Sequence, residues 1–135
     1  MKKNLFFLTL SLFVFISAAS AQQGDSTISF RVLLKFQSEC CGVPSDRPLI
    51  KAISSFKRKY HVRSIQAYRI GPMGREGEYY LGFYLKELNR PLRSKLISKM
   101  RASVILMCKD KGTVAMEENS KTTLPSIFEI KEIRF

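Results

Sequence analysis

Apolar residues fall at every second position from Ile28 to Phe36: Ile28, Phe30, Val32, Leu34 and Phe36 share one face, with Ser29, Arg31 and Lys35 on the other. A period of two over so long a run belongs to a half-buried strand, and it commits the chain to a sheet with one face in need of cover. The cover comes next in the chain. Leu49, Ile53, Phe56 and Tyr60 recur at helical spacing, with Lys51, Lys57, Arg58 and Lys59 at the outer positions. Ser45 or Asp46 can cap this helix, and Pro48 suits its first turn.

The pattern then repeats around a hairpin. A second strand is expected near Arg63 to Ile70, followed by "GPMGREGE", Gly71 to Glu78, whose Gly and Pro content is that of a hairpin connection. Tyr79, Leu81, Phe83 and Leu85 form another buried row. Asn89 and Pro91 open a second helix through Leu92, Leu96 and Met100, with Arg93, Lys95, Lys99 and Arg101 outside and an expected end near Ser103. "VILMC", Val104 to Cys108, is continuous and partly β-branched, which predicts a fourth strand. "TVAME" would be its short hairpin partner, Asn119 to Thr123 a loop and "IFEIKEIRF" a last strand. The alternative lets the second helix run through Met107.

The order β-α-β-β-α-β predicts an α+β fold on the ferredoxin-like plan, with two layers, an antiparallel sheet ordered 4-1-3-2 and a C-terminal strand extension. The tail from Leu124 to Phe135 would either extend the sheet edge or pack over its open face.

Lys2 and Lys3, the apolar run Leu5 to Ile16 and the small residues Ala19-Ser20-Ala21 have the layout of an export signal. Cleavage after Ala21 would leave residues 22–135, enough for a single domain and too few for two. The apolar run is shorter than the roughly 20 residues a spanning helix needs. The expected product is periplasmic or extracellular, without a transmembrane segment. Phe135 ends the chain as it ends many barrel strands, but Lys131 and Glu129, in register with it, defeat a lipid-facing row.

The chain has 23 basic and 11 acidic residues, so loss of the leader leaves about +10. Such a balance favours an acidic partner outside the cytoplasm: an acidic polymer such as an anionic polysaccharide, phospholipid headgroups or an acidic protein surface. Export argues against nucleic acid. No Ser-His-Asp arrangement, H-E-x-x-H helix or G-x-x-x-x-G-K loop is present, so the reading leans away from an enzyme.

Cys40 and Cys41 lie between the first strand and first helix, and Cys108 lies where the second helix returns to the sheet. The predicted topology brings all three to one end. Oxidising surroundings favour a disulfide between Cys108 and one member of the pair, with one sulfur left over. The alternative is a thiol site for redox chemistry or for a copper ion, Cu(I), on Cys40, Cys41 and Cys108. In position the pair resembles the metal-binding loop of heavy-metal-associated domains, which carry C-x-x-C where this chain has "CCGVPS".

Anion-binding candidates are Arg31, Lys35, Arg75, Lys86, Tyr80 and Tyr84. Arg75 sits in the hairpin, whose glycines allow backbone N–H groups to converge on an anion. The others are expected on the uncovered sheet face, with Phe30, Val32, Tyr79, Leu81 and Phe83 turned to the helices. Basic residues beside aromatics on the central strands resemble the stacking platform of RNA-recognition motifs, although "EGEYYLGFY" lacks the basic residue that opens their consensus.

Overall fold

The computed structural model describes residues 26–108, 112–124 and 129–135. The expected leader lies outside them. In chain order the elements are β1 (Ser26–Gln37), α1 (Arg47–Tyr60), β2 (Gln66–Gly71), β3 (Tyr79–Phe83), α2 (Arg90–Met107), β4 (Thr113–Leu124) and β5 (Glu129–Arg134). Every strand pair is antiparallel, and the sheet runs β4-β1-β3-β2-β5. The 4-1-3-2 order is therefore present. β5 extends it at the β2 edge, with Ile130 opposite Ile70 and Ile133 opposite Ala67.

Val104 to Cys108 corrects the sequence reading. α2 does not stop near Ser103 but continues through Met107, and the Cys108 N–H donates to the Val104 carbonyl at 3.1 Å. The reason is periodicity: Met100, Ser103 and Met107 are buried and Val104 packs on the same core, continuing the helix's inner stripe. That burial outweighs the weak preference of Val and Ile for strands. The fourth strand starts instead at Thr113 and takes in Asn119 to Thr123, expected as a loop, because β1 offers it a ladder from Thr113 to Leu124, broken at Asn119.

The two helices cover one face. Leu49, Ile53 and Phe56 of α1 and Leu96, Ile97 and Met100 of α2 meet Val32, Leu34, Phe36, Ala67, Leu81 and Phe83 of the sheet in a single core. Asn89 caps α2 by accepting the Leu92 N–H at 3.0 Å. α1 closes on His61 in the left-handed region (φ 53°), where the Val62 N–H reaches the Lys57 carbonyl at 3.1 Å.

Tyr79 is pinned between layers. Its ring stacks on Phe36 at 4.5 Å, the Arg69 guanidinium lies 3.5 Å from its centroid, and its hydroxyl donates to Asp46 Oδ2 at 3.3 Å. Burial, helped by the Asp46 charge, pushes its pKa up to about 12. A raised phenol favours the folded state while neutral; that contribution is complete below the unfolded value near 10 and lost as pH climbs through about 12. Tyr79→Phe is thus expected to flatten the alkaline loss of stability, read by denaturant titration at successive pH values; an unchanged slope would remove Tyr79 as its source.

Phe30 is a second correction. It does not face the helices with Val32. It packs on the opposite sheet face with Leu33 and Ile70, its ring 5.0 Å from Tyr84 and 6.3 Å from Tyr68. The change of face coincides with a break in the β1–β4 ladder. Asn119 adopts a left-handed conformation (φ 54°), and the ladder skips the pair Arg31–Asn119 while keeping its register on both sides. Beyond this break the alternation of faces inverts, so that Ile28 and Phe30 lie with Leu33 and not with Val32. Chain length requires that the sheet bend. On a flat sheet Leu124, beside Ser26, and Glu129, beside Gly71, would stand roughly 35 Å or more apart. Five residue steps reach at most about 18 Å.

Gly82 makes room for this return, because a Cβ there would sit 2.5 Å from the Phe30 ring. Gly82→Ala is expected to cost about 1–3 kcal/mol by overpacking. Adding Phe30→Leu should recover part of it in the same urea titration, whereas strictly additive losses would rule the contact out.

Candidate anion-binding surface

The helices carry the charge imbalance. α1 holds Arg47, Lys51, Lys57, Arg58 and Lys59, α2 holds Arg90, Arg93, Lys95, Lys99 and Arg101, and neither contains an acidic residue. All eleven acidic residues lie elsewhere, and beyond residue 21 they are matched by eleven basic ones outside the helices. Outside the two helices, then, the sequence beyond residue 21 is neutral in formal charge. The helix layer is the positive pole of the molecule.

Within that layer one groove gathers arginines. Arg90, Arg93, Ser94, Ile97, Ser98 and Arg101 of α2 face Arg31 of β1 and Glu118 of β4 across about 750 Å³. The helix positions repeat every three or four residues, so they form one stripe roughly 16 Å long. Arg31 belongs here because the alternation of β1 inverts between Arg31 and Val32, which leaves Arg31 on the helix side and Phe30 on the other. The Arg31 guanidinium donates to Asn119 Oδ1 and Arg101 pairs with Glu118. Arg93 donates to the carbonyls of Leu85 at 3.1 Å and Leu88 at 2.9 Å, which locks the approach to α2. Arg90 is exposed and has no ion-pair partner among the described residues.

The first turn of α2 works against its own helix. Unpaired N–H groups give a helix start partial positive charge, which acidic residues normally offset. Here the turn holds Arg90 and Arg93 and no acid. The helix end and the guanidiniums therefore add, at some cost to stability, to a field that favours anions. Planar guanidiniums can grip carboxylate, sulfate or phosphate with paired hydrogen bonds, and Ser94 and Ser98 supply neutral donors beside them.

The other expected residues divide. Lys35, Tyr80, Tyr84 and Lys86 do share the face opposite the helices, joined by Tyr68, which the sequence reading did not single out. It is not an open platform, since Phe30 fills its centre. Lys35 is neutralised in place by Glu117, whose carboxyl is held below the usual range by hydrogen bonds from Lys35 and Ser120. Lys86 lies 4.9 Å from the Tyr84 centroid. Arg75 is exposed on the hairpin, and the concavity next to it is taken by the chain's own Glu78. That carboxylate accepts the Glu76 N–H at 3.0 Å and sits over Gly74.

Routing delivers the cysteine-bearing segments to one end, where Gly112 lies against the Gln37 carbonyl and Ser38. The expected staple is not made. Cys40, Cys41 and Cys108 are exposed and form no disulfide. Instead Cys108 Sγ turns to the start of β4, accepting the Val114 N–H at 3.4 Å. Among the described residues no cluster of three or more His, Cys, Asp and Glu side chains could hold a metal ion. In the native protein Cys41 and Cys108 are both expected to alkylate, as mass spectrometry would read; protection of Cys108 until reduction would restore the bridge.

Arg90 and the absence of acid from either helix carried the information that the sequence reading missed. A basic first helical turn, "NRPLR", was its visible signal. No protein family, curated protein or solved structure matches this chain.

Proposed function

We propose that this is a small exported, non-catalytic binding module whose helix layer meets an acidic partner. The observation that carries the reading is the segregation of the entire charge excess onto two helices without one carboxylate, with four arginines converging beside α2. Charge spread merely for solubility has no reason to leave everything outside the two helices neutral in sum. Nor does it place arginines against a helix dipole. The ferredoxin-like core is the scaffold: both helices lie on the same sheet face, so their outer sides form one continuous cationic layer.

Retention on immobilised dextran sulfate tests the reading. Elution is expected to track ionic strength, because contacts between exposed charges are screened over about 10 Å at 0.1 M salt. Passage without retention at low salt, or retention indifferent to salt, would refute it. Export is tested separately: the secreted form is expected to begin at Gln22.

A further inference from the structure

α2 ends in a way the proposed function does not require. Its last turn leaves Ile105 67% and Leu106 54% exposed, adjacent large apolar side chains at the tip of the cationic layer. Leu106 also lines a groove of about 360 Å³ between the helices, with Pro48, Ala52 and Ala102 as apolar walls and Lys51 and Lys99 at its sides. Arg101, one turn back, sits on the Ile105 side of the helix. Exposed apolar residues ringed by cations, with no carboxylate on either helix, have the make-up of surfaces that lie in the headgroup region of a bilayer. A soluble polyanion would use the cations and leave Ile105 and Leu106 without a role.

We infer that the end of α2 seats the protein on an anionic lipid surface, with Ile105 and Leu106 entering the headgroup boundary and Lys51, Lys99 and Arg101 meeting lipid phosphates. The inference rests on the helix layer being the acidic-partner surface and names that partner as lipid. It involves no spanning segment, and no helix among the described residues is long and apolar enough to cross a membrane.

The test compares co-sedimentation with phosphatidylcholine vesicles and with vesicles containing roughly one part phosphatidylglycerol to two parts phosphatidylcholine. All proteins carry the same N-terminus. The unmodified protein should bind the anionic vesicles and not the neutral ones. Ile105→Ser with Leu106→Ser should weaken that binding about tenfold or more while leaving retention on dextran sulfate unchanged. Both side chains are exposed, so folding is preserved, as circular dichroism would check. Vesicle binding unaltered in the double variant would overturn the inference. So would an unmodified protein that binds dextran sulfate but no vesicle, which leaves a soluble polyanion or acidic protein as partner. Failure on both supports would overturn the proposed function as well.

Discussion

Arg90→Glu combined with Arg101→Glu is expected to loosen binding to dextran sulfate about a hundredfold at low salt while leaving the protein as stable as before. Each reversal replaces attraction with repulsion, and a basic side chain at an anionic surface is worth about 1 kcal/mol, so four charge units amount to about 4 kcal/mol before screening. The stability terms oppose one another. Arg90 stands in the first turn of α2, where an acid is favoured by about 0.3–1 kcal/mol. Arg101 gives up its exposed pair with Glu118 and becomes a like charge beside it, at a cost of similar size. Binding should therefore collapse with little movement of the urea midpoint. The control is Lys121→Glu with Lys131→Glu, the same change in net charge on β4 and β5. Equal losses from the two variants would show that overall charge, not the groove, holds the polymer.

The largest loss of stability is expected from Phe36→Ala, about 3–5 kcal/mol by urea titration with an unchanged m-value. Phe36 is fully buried and stacks on Tyr79 with ring planes 9° apart, so truncation removes apolar surface and also leaves the Tyr79 ring without its partner. A domain of this size holds only about 5–15 kcal/mol in total. A cost below about 1 kcal/mol would mean that the helix–sheet core can collapse around the gap, contrary to the packing described.

Local pattern was enough for most of the fold. Alternation in Ile28 to Phe36, helical spacing in Leu49 to Tyr60, the glycine hairpin and Asn89-Pro91 each mark an element through the atoms that must be buried or hydrogen-bonded nearby. Elements in that order allow few strand arrangements. The signal weakened where two periods overlap. Val104 to Cys108 suits a strand by composition and a helix by its spacing to Met100, and only the core beneath it decides.

The candidate site lay beyond such signals. Basic residues were visible in the sequence one by one, and so was the absence of acids between Arg47 and Tyr60 and between Arg90 and Met107. Which of them meet was not. Arg31 joins Arg90 and Arg101 rather than Lys35 because the faces of β1 invert where its ladder with β4 breaks at Asn119, far away in the chain. Periodicity reports what each residue needs from its surroundings within a few positions; which distant residues supply it is set by register and by the bending of the sheet, properties that exist only once the strands have paired.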